Sequence, residues 1–318
     1  MIPALLTAVL FACSALFGQR AAQLWGPLRA NALRLSLASA VLGALTLALD
    51  ALGQQSSLAA GVFPWFFLSG LLGFGLGDIG LFLAYPRLGA RQTILVNFSL
   101  GTLCAAWGDH WLLGEPLAGP QWLGVAIVLS GLGVALWPSR TEGGAAALSP
   151  WSGWAFACLA GGGQGLGTTL SGWANRVADA QQVSVHGISQ AFQRSTAGVL
   201  VGILAWGAWQ GAQKTRGRAG EERSGGRLAV GASISPRRAA GAIVGAAFFG
   251  PVAGVSCYQW ARLHLPSAVV VALAATSALW VIPLAKWLDG DHPTRRQILG
   301  TGVAVAGIAV LCLAGKAG

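Results

Sequence analysis

Ten apolar stretches, each close to the length that crosses a lipid bilayer, constrain this chain more than any other feature. They are Ile2–Trp25, Ala30–Leu49, Val62–Tyr85, Thr93–Leu113, Gln121–Trp137, Trp151–Ala174, Gly187–Trp209, Ala239–Trp260, Ser267–Leu288 and Ile298–Leu313. A bilayer core is about 30 Å thick and needs roughly 20 apolar residues per helix. The stretches are continuous rather than alternating, which excludes a β-barrel pattern. An all-α polytopic membrane protein with ten transmembrane helices is therefore expected. Composition points the same way. Hydrophobic residues make up 54% and charged residues 9%, against about 25% charged in soluble domains. Too few charges exist to cover a water-facing surface. The 47 glycines suit a bundle in lipid, where helices associate through close packing of small residues. The start of the chain lacks the basic segment of a signal peptide, so Ile2–Trp25 is expected to be retained as the first helix.

The chain repeats itself. Gly114-Glu115, Gln121, Leu123-Gly124 and Gly131 recur 176 residues later as Gly290-Asp291, Gln297, Leu299-Gly300 and Gly307. Arg87-Leu88 recurs as Arg262-Leu263, Arg34 as Arg194, and Gly18-Gln19 as Gly163-Gln164, with smaller offsets before each longer loop. Two units follow, 1–138 and 151–316, each of five helices. An odd number of crossings inverts the second unit, which gives the inverted-repeat plan of many secondary transporters. The segment Gln210–Arg238 is rich in Gly, Ser, Lys and Arg and is expected to be a disordered basic loop. Lys and Arg favour the cytoplasmic side, and their distribution places both termini outside the cytoplasm.

The net charge of +10 does not point to nucleic acid, because the cations are spread over short connectors plus that one loop. No Gly-x-Ser-x-Gly, His-Glu-x-x-His or Walker-type segment is present, and the five cysteines sit singly. Neither an enzyme, a metal centre nor a cofactor site is expected.

Polar side chains at bilayer depth cost roughly 2.5–3.5 kcal/mol for Asp or Arg on insertion scales, so they mark a substrate path. Asp78 lies in Gly75-Leu-Gly-Asp-Ile-Gly80. It is either a substrate-contacting or proton-carrying carboxylate, or one half of a structural ion pair with an arginine of a neighbouring helix. Gln19 and Arg20 sit at depth if the first helix runs through Trp25, and Arg20 would then pair with Asp78 or hold an anionic substrate. Asn97 and Gln164 complete the path candidates. Arg34 and Arg194 open the second and seventh helices and read as structural, snorkelling to the interface or pairing with a carbonyl end. Glu115 and Asp291 precede the fifth and tenth helices, where acids suit the positive end of the helix dipole.

Gly114-Glu-Pro-Leu117 followed by Gln121-Trp-Leu-Gly124, its second copy Gly290-Asp-His-Pro-Thr294 followed by Gln297-Ile-Leu-Gly300, and Tyr85-Pro-Arg-Leu88 with its echo Trp260-Ala-Arg-Leu263 resemble the EamA-like family of the drug/metabolite transporter superfamily. The resemblance covers nearly the whole chain. It implies a gradient-driven carrier of small metabolites such as amino acids, often working outward, in a bacterial inner membrane. Lipid, a small-molecule substrate and protons as coupling ion are the implied partners. The family norm puts the termini inside, opposite to the charge count. A membrane scaffold or receptor whose basic loop binds a partner is the rival reading.

Overall fold

The structure, a computed structural model, describes residues 2–53, 61–136, 150–220, 236–289 and 295–314. Every regular element among them is helical. The first helix, α1, spans Ile2–Trp25 and stops before Gly26, whose φ of 79° leaves the helical region. Its buried face is a stripe of small residues, Ala4, Ala8, Ala12, Ala15, Gly18 and Ala22, spaced to stay on one side of the helix. Ile2 and Leu6 point outward. Pro27 at the first turn opens α2 (Pro27–Ala51), where its missing N–H costs nothing.

Next, α3 (Phe63–Gly70) runs without a break through a π-helical turn, Leu71–Gly77, into α4 (Asp78–Gly108). The backbone N–H of Asp78 reaches the carbonyl of Gly73, the wider i→i−5 bond of a π turn. Gly89, at φ 76° and ψ 167°, breaks α4 near its middle. A second π turn, Asp109–Leu113, ends on left-handed Gly114. The remaining helices are α5 (Gly119–Leu136), α6 (Pro150–Ala180), α7 (Gly187–Gly220), α8 (Pro236–Ala247), α9 (Ser256–Arg262), α10 (Ser267–Ala275), α11 (Ser277–Asp289) and α12 (Arg295–Ala314). A π turn at Phe248–Val255 joins α8 to α9 around Pro251.

Among the described residues, four stretches are long and apolar enough to cross a membrane: Ile2–Trp25, Pro27–Ala51, Phe63–Ala90 and Arg237–Arg262. Ser267–Val281 and Ile298–Val310 are shorter apolar helices. Large apolar side chains such as Trp107, Trp111, Leu123, Leu204 and Leu299 stand exposed. Water would not tolerate so wide an apolar surface, and lipid would. Two expectations need correction. The basic loop expected over Gln210–Arg238 is helical at both ends, because α7 continues to Gly220 and α8 opens at Pro236; residues 221–235 lie outside the described residues. The ninth apolar stretch is two helices, parted at Thr276.

Glycine faces bring the helices together. A Cβ on Gly163 would meet the backbone of Gly77 at 2.9 Å, and one on Gly165 would meet the Gly101 carbonyl at 2.4 Å. The backbones of α6 and of α4 with its π turn are therefore in direct contact, with side chains left out of the seam. The α5 and α12 pair packs reciprocally: a Cβ on Gly131 would lie 2.4 Å from the Ala304 nitrogen, and one on Gly307 would lie 2.6 Å from the Val128 nitrogen. Packing by α1 is against α8 and its π turn, with the Trp25 indole N–H donating to the Ala239 carbonyl at 2.9 Å.

Asp109, near the end of the fourth apolar stretch, is 0% exposed. Its carboxylate accepts the Ala268 N–H at 3.3 Å and the Thr169 hydroxyl at 3.3 Å. It thus satisfies an otherwise open donor in the first turn of α10, where the helix dipole also favours negative charge. Asp109→Ala is expected to destabilise the protein by about 1–3 kcal/mol, the cost of stranding such a buried donor. Thermal unfolding in detergent measures this, and an unchanged midpoint would deny the cap.

Candidate functional site

The π turns bring polar groups to the centre of the bundle. A cavity of about 60 Å³, open to water-sized molecules, lies between α1, α2, the α3–α4 rod, α6, α7 and the Phe248–Val255 turn. Three of its lining side chains are charged: Asp78, Arg34 and Arg194. Asn97, Gln164 and Ser14 add neutral polar groups, and Phe11, Phe74, Ile94 and Phe98 supply apolar walls.

Asp78 opens α4 directly after the π turn. It accepts a hydrogen bond from Arg34 Nη2 of α2 in a tight ion pair, with side-chain exposures of 10% and 5%. Arg34 Nη2 also donates to Asn31 Oδ1 at 3.0 Å, and its guanidinium carbon stands 4.8 Å from the Phe82 ring centre. Of the two readings of Asp78, the ion pair is thus present, and its partner is Arg34 rather than Arg20. The same carboxylate faces the cavity, so the pairing does not remove it from a solute's reach.

Arg194 is 1% exposed. Its Nη1 donates to Gln259 Oε1 at 3.0 Å, and Gln259 Nε2 donates to Ser171 Oγ at 3.1 Å. Ser171 in turn shares a hydrogen bond of 2.8 Å with Ser69. This chain of neutral groups ties α7, α9, α6 and α3 together behind the cavity. The guanidinium also stands 5.4 Å from the Phe74 ring centre, a favourable cation–π distance. Among the described residues no carboxylate forms an ion pair with Arg194, and its Nε is buried without a partner.

Glycines keep both arginines in contact with the cavity. A Cβ on Gly73 would lie 2.8 Å from Arg194 Nη2, and one on Gly250 would lie 3.2 Å from Arg34 Nη1. Thr168, one turn beyond Gln164 on α6, shares a hydrogen bond of 2.7 Å with the buried Tyr258 hydroxyl. That bond ties α6 to α9 one turn from Gln164, which lines the cavity.

The five path candidates separate. Asp78, Asn97 and Gln164 line the cavity; Gln19 and Arg20 do not. Gln19 Oε1 accepts the Ala90 N–H at 3.1 Å, a donor left without a helical acceptor by the break at Gly89. Arg20 is exposed on α1. The helix does continue through Trp25, but residue 20 lies on its outer side. Arg34 and Arg194, read as structural, either snorkelling to the interface or pairing with a carbonyl end, are buried and line the cavity. Their position at the start of long helices suggested the surface, whereas the π turns let the bundle close around them. Glu115 pairs with Arg176 at the surface, both more than 40% exposed, a contact worth about 0–1 kcal/mol. Asp291 lies outside the described residues. Among the described residues no three His, Cys, Asp or Glu side chains group as metal ligands.

The aromatic residues Phe11 and Phe98 were not anticipated. They stack with ring centres 6.0 Å apart and planes at 15°. Nothing in their local sequence separates them from lipid-facing phenylalanines.

A model of the EamA-like transporter family matches residues 1–137 and 151–313. A solved crystal structure of a protein is similar over 98% of this chain and 96% of its own, with a TM-score of 0.65 at 18% sequence identity. No curated protein matches the sequence.

Proposed function

Because the chain belongs to the EamA-like transporter family, a family of membrane transporters, we propose that it is a gradient-driven secondary carrier that exports a small metabolite by alternating access. The observation that carries this reading is the position of the cavity. It is walled by helices from both family-matched regions, 1–137 and 151–313, and its charged side chains come from both. Neither half encloses it alone, which is the arrangement alternating access requires.

The chain is read as two inverted five-helix units, 1–138 and 151–316. Support comes from paired features at repeat-equivalent positions. Gly131 and Gly307 pack reciprocally where α5 meets α12. Arg34 of α2 and Arg194 of α7 face one cavity. Each unit carries a π turn in the helix that follows, Leu71–Gly77 and Phe248–Val255. Non-helical or under-wound backbone at membrane depth is tolerated where it borders protein or a water-filled cavity, and both turns border this one. Rocking one unit against the other would expose the cavity to alternate sides.

Within this mechanism Asp78 is the group that exchanges partners. Paired with Arg34, the carboxylate is held in place. A proton or a solute ammonium group arriving from either side competes for it. This reading assigns proton coupling to Asp78, with lipid and solute as the other partners.

The experiment is solute counterflow. Purified protein is reconstituted into proteoliposomes preloaded with unlabelled amino acids, sugars or nucleotides, and entry of the matching radiolabelled solute is followed. Transient accumulation of one class above protein-free vesicles is expected, with faster efflux when a proton gradient is imposed. No accumulation for any class, from protein that remains monodisperse, would contradict the carrier reading.

A further inference from the structure

The two arginines at the cavity are not equivalent. Arg34 has a carboxylate partner in Asp78. Arg194, equally buried, is held by the neutral Gln259 and a phenylalanine face. Counted over its lining, the cavity holds two cations and one anion, so one buried positive charge has no carboxylate of its own. A lone charge in such a place is costly even after relaxation. Neutral hydrogen bonds recover part of that cost, and an anion would recover more, because charge-assisted bonds to guanidinium are about twice as strong as neutral ones.

Several features keep this group available. Its Nε is buried without a partner, so the surrounding protein leaves the guanidinium incompletely satisfied. Gly73 leaves open the place where a Cβ would come within 2.8 Å of Nη2. Gln259 takes up only Nη1. A planar fork with unused donors, fixed from behind and open in front, matches the two oxygens of a carboxylate. The walls beside it are apolar and aromatic, with Phe74 under the guanidinium and the Phe11–Phe98 stack nearby in the lining. They suit the body of a small organic acid.

We infer that the transported solute carries a carboxylate that binds Arg194, so that the substrates are small organic acids, including amino acids, with an apolar body. This rests on the carrier reading and narrows it to a chemical class. The Asp78–Arg34 pair then lies opposite the carboxylate, and an amino acid's ammonium group would approach Asp78 while its acid end takes the open guanidinium.

The test uses isosteric pairs. Isovalerate and isovaleramide share a shape and differ in charge, and leucine and leucinamide do the same with an ammonium group added. Binding to the purified full-length protein is measured by thermal shift and by calorimetry. At least one of the two acids is expected to bind, with its amide at least tenfold weaker. Arg194→Gln should lose tenfold or more of that affinity and erase the acid–amide difference. Arg194→Lys should retain part of both. Gly73→Ala keeps every charge and crowds Nη2 alone, and should weaken the acid without affecting the amide. If Arg194→Gln fails to fold, the Arg194→Lys and Gly73→Ala results decide. Equal binding of acid and amide, binding of neither acid, or acid affinity unchanged in these variants would overturn the inference. Counterflow separates it from its premise. Acid binding without transport of any solute would count against the carrier while the anion site stands, and transport of only neutral or cationic solutes would overturn the anion site while the carrier stands.

Discussion

Asp78→Asn is expected to abolish counterflow and to destabilise the protein by about 3–5 kcal/mol, the usual cost of removing one partner from a buried ion pair. The loss arises because Arg34 is left charged at 5% side-chain exposure with only the Asn31 amide oxygen and the Phe82 face to stabilise it. A paired substitution isolates the mechanism. In the double variant Asp78→Asn/Arg34→Gln no buried charge is stranded, and the two amides can hydrogen-bond to each other, so most of the stability should return. Transport should not, since the exchangeable carboxylate is gone. Thermal and denaturant midpoints in detergent, measured beside counterflow in proteoliposomes, check both statements. A double variant no more stable than the single one would mean that the ion pair is not what Asp78 contributes to the fold. Full transport by Asp78→Asn would remove it from the mechanism.

Gly70→Ala should also damage folding, although it adds one methyl group. That methyl carbon would lie 2.1 Å from the Arg194 carbonyl oxygen and 2.6 Å from the Arg194 Cα. Both obstacles are backbone, so no rotamer change relieves the clash, and α3 must separate from α7. Overpacking of this kind costs about 1–3 kcal/mol and occasionally more. Here the strain falls at the residue that supports Arg194, so the Gln259–Ser171–Ser69 chain should be disturbed as well. Folded yield by size-exclusion chromatography should fall sharply. Gly207→Ala provides the contrast, because nothing lies within 4 Å of its added carbon. In a helix interior it should gain about 0.5–1 kcal/mol from reduced backbone entropy. If both variants behaved alike, direct backbone contact would not be what holds α3 to α7.

The fold was legible because its main determinant is local. Whether a stretch can lie in lipid depends on its length and apolarity, which are properties of consecutive residues, and α1 begins and ends where its apolar run does. Glycine density in α6 announced close packing, and the packing is there, though only the structure identifies Gly77, Gly80 and Gly101 as the opposing surface. Where sequence misled, long-range geometry was responsible. The basic residues after Trp209 suggested a solvated loop, yet α7 carries its helix on to Gly220. Asp109 drew no notice in the sequence, and its burial follows from the approach of α10, far along the chain.

The site divides along the same line. Gln19 and Gln164 hold equivalent places in the two repeats, but one serves a backbone N–H freed by the break at Gly89 and the other lines the cavity. Nothing near either residue predicts that difference. Sequence alone determined the solvent of this protein, its helical class, its family resemblance and the presence of a carboxylate at depth in Asp78. Tertiary structure decided which cations meet that carboxylate. It turned Arg20 outward, brought Arg34 in as the partner, and left Arg194 beside the cavity with neutral company. The reason is physical. Apolar length is summed along the chain, whereas the facing of one side chain depends on how a helix is rotated and seated against its neighbours, and here glycine contacts and π turns from distant segments set that rotation.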